Sequence, residues 1–302
     1  MMGDQRGRGK AYMEEADKAL KRFALFNANQ KFEDASEAYT KAGNCFKVAK
    51  AWAEGGEAFT RASELHVKLG STYDAANAAQ EAANCYKNIN PEDAIGSFRQ
   101  AATLLMELGK FKQIGKIHKD IAEIYEKEGS YDEAVENYMQ AAEYFNSENN
   151  KSSANDAMQK TAFLLTTTRG AADPSLDNYA RAANIFEEMG VAALDNRLLQ
   201  YNAKSHFMNA LLCYMAMGDE VAVKQKLEHY KASDYTFADA RECKFIEKLV
   251  QAWEESSADD YTDHCAEYNA ISALDPWKTS LLVKTKRMIA AVEHGEEDVD
   301  LT

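Results

Sequence analysis

The sequence predicts an all-α protein, and three observations carry that expectation. Apolar residues recur at helical offsets through the first half of the chain, no segment sustains the period-2 alternation of a half-buried strand, and 302 residues include only 3 prolines. With 46% apolar residues the chain can also bury a sizeable core.

The first full match begins at Phe32, with Ala35, Tyr39, Ala42 and Phe46 at offsets 3, 7, 10 and 14, one helix face over four turns. Weaker versions start at Trp52, continuing through Phe59 and Ala62, and at Tyr73, with Ala76 and Ala83. The full offsets return from Pro91 through Ala94, Phe98, Ala101 and Leu105. Phe111 opens a variant with Ile114, His118, Ile121 and Tyr125, and Tyr131 leads Ala134, Tyr138, Ala141 and Phe145. These six starts lie about 20 residues apart, a helix pair roughly every 40, which resembles a tetratricopeptide-type array. Small Ala residues would let neighbouring helices approach while aromatics fill the space between them, since no helix buries its face alone. Gly70-Ser71, Asn90-Pro91, Gly109, Gly129-Ser130 and Asn149-Asn150 mark the breaks, and Asp93 and Asp132 place negative charge in first turns.

Beyond about residue 150 the repeat loosens into a helix over 153–168, a turn near Asp173-Pro174 and a helix over 176–189. Longer helices are expected over 193–217, 221–230, 238–255 and 259–273. A last one follows Asp275, the expected N-cap, with Pro276 as first helical residue.

The residues also exclude chemistry. A formal net charge of -14 argues against a general nucleic-acid binder, whose affinity comes mostly from cations on phosphates, although it leaves room for a local basic face. Cys45, Cys85, Cys213, Cys243 and Cys265 are odd in number and scattered, with no CxxC, and are expected as reduced core residues. The longest apolar run, 210–217, has 8 residues, far short of a membrane span of about 20. The N-terminus has no apolar signal region, and Gly7 stands where myristoylation would need Ser or Thr. The expected location is therefore cytoplasmic, peripheral to membranes at most. No phosphate-binding glycine loop with Lys-Ser/Thr is present: Gly55-Gly56 lies inside a helical pattern. No HExxH, other metal spacing or GxSxG appears, and His118, on an apolar face, reads as a satisfied interior histidine. No enzyme, cofactor, metal or small-molecule substrate is expected.

Pattern alone reaches a binding scaffold and stops there, because such a fold hosts many partners. Specific stretches go further: Cys45-Phe46-Lys47-Val48-Ala49-Lys50-Ala51-Trp52, Ile121-Ala122-Glu123-Ile124-Tyr125-Glu126, Ser152-Ser153-Ala154-Asn155, Arg241-Glu242-Cys243-Lys244 and Leu274-Asp275-Pro276-Trp277. With an acidic end carrying Leu301, they resemble, in order and over nearly the whole chain, the alpha-type soluble NSF attachment proteins. The resemblance implies a right-handed solenoid of antiparallel helix hairpins, a twisted helical sheet over 1–190, followed by a helical bundle with an acidic tail over 191–302. It implies an adaptor that coats a SNARE four-helix bundle and recruits the hexameric NSF ATPase for disassembly. Carried over singly, Lys50, Lys87, Lys110, Lys116, Lys160 and Arg241 would face the acidic SNARE surface, with Leu198 and Tyr201 as an apolar contact. Glu254, Glu255 and Leu301 would meet the ATPase, and Phe23, Leu25 and Phe26, flanked by Lys21 and Arg22, would touch membrane. Without the family, the lysines read as solvated charges, the three apolar residues as local packing and the tail as a frayed end. Asn88 and Asp156 depart from expected lysines, and Gln251 from an acid. The other reading left open is a tetratricopeptide-like scaffold for an unrelated peptide.

Overall fold

The computed structural model describes residues 2–22, 28–169 and 173–293. Among them are fifteen helices and no strand. They are α1 (Met2–Lys21), α2 (Ala28–Val48), α3 (Trp52–Lys68), α4 (Thr72–Tyr86), α5 (Pro91–Glu107), α6 (Phe111–Glu128), α7 (Tyr131–Ser147), α8 (Lys151–Leu165), α9 (Leu176–Leu194), α10 (Gln200–Ala216), α11 (Glu220–Ser233), α12 (Tyr235–Ala238), α13 (Arg241–Glu254), α14 (Ala258–Ile271) and α15 (Pro276–Glu293). They form two compact units, Met1–Ala157 and Met158–Thr302, that part within α8.

In the first unit each helix from α1 to α7 packs against the next in chain order. From α2 onward two to four residues join successive helices, so neighbours run antiparallel. The turns share one device. Ala51, Ser71, Lys110, Ser130 and Asn150 donate their backbone N–H to the carbonyls of Phe46, His66, Leu105, Tyr125 and Phe145, at 2.8 to 3.0 Å. The residue before each donor is left-handed: Lys50, Gly70, Gly109, Gly129 and Asn149, with φ between 55° and 79°.

The repeat offsets locate the core. Ala35, Tyr39, Ala42 and Phe46 of α2, Ala94, Phe98, Ala101 and Leu105 of α5, and Ala134, Tyr138, Ala141 and Phe145 of α7 are at most 5% exposed. The residue leading each set, Phe32, Pro91 or Tyr131, is only half-buried. Helix α1, which the offsets do not pick out, belongs to the same core: Ala16 and Ala19 pack with Ala35, Ala38 and Tyr39. Gly9 takes the place of the expected side chain there, since a Cβ on it would meet the Phe46 ring at 2.7 Å. Side chains also tie second neighbours: Arg6 of α1 pairs with Glu54 of α3, and Lys47 of α2 with Glu81 of α4.

In the second unit α10 is the central helix. Its residues 207–216 are all buried, and α9, α11, α13 and α15 pack round it. The short apolar run at 210–217 is thus a core helix. The expected helix over 193–217 is divided: α9 ends at Leu194 and α10 begins at Gln200. Asn196 makes the break, its side-chain oxygen accepting the Leu198 backbone N–H at 3.0 Å, an Asx turn that competes with helix. The start of α15 is as expected, with Asp275 accepting from the Lys278 backbone N–H at 2.8 Å. Trp277 anchors this start, its ring centroid 4.8 Å from Phe163 and 5.4 Å from Phe186, its Nε1 donating to Thr166 Oγ1 at 2.7 Å.

Candidate partner-binding surfaces

Hairpin topology sorts the candidate cations of the first unit. Lys50 and Lys87 follow α2 and α4, which run the same way, so both stand at one edge of the helix row. Lys110 opens α6 at the opposite edge, and Lys116 lies further along the same helix. Lys50 is exposed and holds a left-handed backbone, φ 55°, that a non-glycine residue adopts at some cost. Lys87 is not a free charge: its Nζ lies 3.5 Å from Asp120 and 3.4 Å from Glu123 of α6. Burial pushes the Asp120 carboxyl up from its ordinary value, while Lys87 and then Lys116 pull it the other way. Asp120, a half-buried acid that the sequence reading did not single out, is thus the partner of Lys87. Asn88, where a lysine would be expected, donates through Nδ2 to the Asn84 carbonyl at 3.0 Å and the Cys85 carbonyl at 3.3 Å, closing the end of α4.

Charge placement against the helix dipole is the second signal. A helix favours acids in its first turn and cations in its last, each worth about 0.3–1 kcal/mol. Helices α5 and α7 comply, with Glu92, Asp93, Asp132 and Glu133 in their first turns. Helix α6 does not: its first turn has no acid, and Lys110 occupies the N-cap without a side-chain capping bond. Helix α13 departs at its C-terminal end, closing on exposed Glu254 and Glu255 with no cation in its last turn, while its first turn sets exposed Arg241 beside Glu242. Glu254 holds Lys224 of α11 at 2.5 Å. Gln251, standing where a further acid would be expected, donates to Glu255 at 3.0 Å and so orients that carboxylate.

The apolar candidates of the second unit lie open. Leu198 is 91% and Tyr201 74% exposed, beside the Asn196 turn. Lys204 stands 3.9 Å over the Tyr201 ring, pinning an aromatic face in water by a cation–π contact. Lys160 and Asp156 are exposed on α8. Phe23, Leu25, Phe26 and Leu301 lie outside the described residues.

The remaining candidates are structural. His118 hydrogen-bonds Asn137 at 3.1 Å and stacks on Tyr144, and burial lowers its pKa, so it is a satisfied interior histidine. All five cysteines are free thiols, with Cys85, Cys213 and Cys243 buried. Gly55 and Gly56 are buried inside α3. Among the described residues no helix is long and apolar enough to cross a membrane, and no group of three or more His, Cys, Asp or Glu converges as a metal site. What sequence reasoning missed lies beside Arg241. Lys244 and Lys248 share its face of α13 at i+3 and i+7, a spacing visible in the sequence.

The family model described as soluble NSF attachment protein, SNAP, matches residues 7–290. The chain is 35% identical over 298 residues to an alpha-soluble NSF attachment protein of Vitis vinifera, covering 99% of this chain and all of that one. It is 39% identical to a beta-soluble NSF attachment protein of Bos taurus, covering 96% and 95% of the two chains. It is 37% identical to an alpha-soluble NSF attachment protein of Mus musculus, covering 91% and 90%. The chain belongs to the soluble NSF attachment protein family.

Proposed function

We propose that this chain is a non-enzymatic adaptor that binds SNARE four-helix bundles and recruits and stimulates the hexameric NSF ATPase for their disassembly in vesicle traffic. The observation that carries the reading is helix α13, which opens on exposed Arg241 beside Glu242 and closes against its dipole on exposed Glu254 and Glu255, with no cation in its last turn. The helix dipole gives the acidic C-terminal end no support. A basic end for an acidic SNARE surface and an acidic end for a basic ATPase surface account for the arrangement. Exposed Leu198 and Tyr201, beside the same helical bundle, suit an apolar contact with the SNARE surface. On this reading Lys50, Lys87, Lys110, Lys116, Lys160 and Arg241 contact SNAREs, the repeats to about residue 190 carry most of those cations, and 191–302 presents the ATPase-facing end. The protein would work in the cytoplasm, touching membrane peripherally through Phe23, Leu25 and Phe26, with no nucleic acid or small-molecule substrate.

The test is charge reversal. Each solvated contact is worth about 1 kcal/mol or less, so single changes should matter little. Lys116→Glu combined with Lys160→Glu should weaken co-sedimentation with purified SNARE bundle about tenfold or more, leave helicity unchanged and flatten the salt dependence of what binding remains. Undiminished binding by the double variant would remove the basic face from the proposal. A scaffold for an unrelated extended peptide would instead bind such a peptide and ignore the bundle.

Leu301 separates recruitment from stimulation. Its burial in an ATPase pocket is worth about 1.5–3 kcal/mol at most, enough to alter coupling without deciding assembly. Leu301→Ala should leave SNARE binding intact and largely permit ATPase recruitment, yet strongly reduce SNARE-dependent ATP hydrolysis. Full hydrolysis rates with this variant would reduce the tail to a solvated end.

A further inference from the structure

A groove of about 240 Å³ runs between α13 and α14. One wall is the α13 face bearing Arg241, Lys244 and Lys248, and the other is the α14 face bearing His264, Glu267 and Ile271. The floor is aromatic: Phe245 and Tyr268 stack with ring centroids 4.2 Å apart and planes 17° apart. Ile271 closes one end at 71% exposure, a large aliphatic side chain left in water beside that floor. Of the three cations only Lys248 is paired among the described residues, with Glu267 at 2.8 Å, so the groove keeps a positive excess in a chain of net charge -14. A rim of cations over an apolar floor fits an acidic segment that carries an aliphatic residue.

This chain has one within reach. Residues 296–301 read Glu-Glu-Asp-Val-Asp-Leu, four acids with Val299 and Leu301 between and after them. The last described helix delivers the segment to the right place. Glu293, the final residue of α15, accepts the backbone N–H of Ala258, the first residue of α14, at 3.3 Å. From there to Tyr268 is ten helical residues, about 15 Å at 1.5 Å per residue. Leu301 is eight residue steps on from Glu293, and extended chain covers about 26–29 Å at 3.3–3.6 Å per residue. Reach exceeds the distance, which leaves slack for the segment to turn back along α14.

We propose that residues 296–301 dock in the α13–α14 groove of their own chain, with the acids on Arg241, Lys244 and Lys248 and Leu301 against Phe245, Tyr268 and Ile271. Docking requires neither SNARE nor ATPase, so its failure is distinguishable from failure of the proposed adaptor function. If that function also holds, Arg241 stands in both surfaces, and the tail and an acidic SNARE surface exclude one another.

The full-length chain with the photo-reactive amino acid p-benzoylphenylalanine at position 301 tests this directly. Irradiation alone in solution, followed by peptide mapping, should give adducts on α13 and α14 residues that line the groove, in a yield unchanged by dilution. Lys244→Glu with Lys248→Glu should lower that yield about tenfold, as should molar salt, which cuts the screening length to about 3 Å. Ile271→Asp, at an exposed position, should lower it without touching the cations. Adducts scattered over other helices, or adducts in the groove indifferent to all three changes, would overturn the proposal. Mixing isotopically heavy and light chains separates the remaining case: heavy–light adducts would place the tail in a second copy and sink docking within one chain.

Discussion

Lys50 shows how one residue can hold a fold position that its side chain does not suit. Five turns of the first unit need a left-handed residue, and three of them use glycine, but Lys50 does so with a full side chain at φ 55°. The left-handed backbone costs a residue of this kind on the order of 1 kcal/mol, partly offset because glycine would add freedom to the unfolded chain. Lys50→Gly should therefore leave stability equal or raise it slightly, by up to about 1 kcal/mol, while changing SNARE binding little, as expected for one solvated contact. A clear loss of stability would mean that the lysine side chain holds the turn. This turn was not legible in the sequence, because Lys is not a turn residue by type. The Gly70, Gly109 and Gly129 turns were, because glycine is cheap in that conformation.

At the scale of the helix, the glycines divide into two kinds that composition cannot tell apart. Gly190 of α9 faces α10 so closely that a Cβ would lie 2.5 Å from the buried Phe207 ring, and Gly43 of α2 stands in the same relation to Phe59, at 2.7 Å. Gly96 of α5 has nothing within 4 Å. Alanine gains about 1 kcal/mol over glycine in an exposed helix interior, and overpacking costs about 1–3 kcal/mol. Denaturant melts should therefore move in opposite directions: Gly96→Ala more stable by about 0.5–1 kcal/mol, Gly190→Ala less stable by up to about 2 kcal/mol. Matching signs would contradict the close approach of α9 and α10. The aromatic–alanine offsets were readable because each helix buries one face at a fixed period. Helix α1 escaped the same reading because Gly9 replaces a side chain where Phe46 needs room. The charges on α13 were visible one by one, yet its acidic C-terminal end acquires meaning against the dipole only once the helix is known to end at Glu254.

For the whole molecule, the question is what turns weak single contacts into a working assembly. Phe23, Leu25 and Phe26, proposed above to touch membrane, lie outside the described residues. Burial of three such side chains contributes about 5–8 kcal/mol at most, and shallow insertion less, so one copy should bind bilayers weakly and several copies on one SNARE bundle strongly. Phe23→Ser with Phe26→Ser should spare disassembly of soluble SNARE complexes and slow it on liposomes. Equal rates on liposomes would rule out the contact. The candidate contacts were legible only through the family resemblance. Pattern alone could not tell a docking lysine from a solvated one, nor foresee that Lys87 meets Asp120 and Glu123 from another helix.

The packing of the first unit has a mechanical meaning. Helices α1 to α7 lean chiefly on their chain neighbours, with second neighbours joined by side-chain pairs such as Lys47–Glu81. Under tension such a row behaves as springs in series: every hairpin carries the full load, and the weakest yields before the rest feel more. An adaptor held between a motor and its substrate would then be a compliant coupling, whose yield force is set by its poorest hairpin and not by the average of them all.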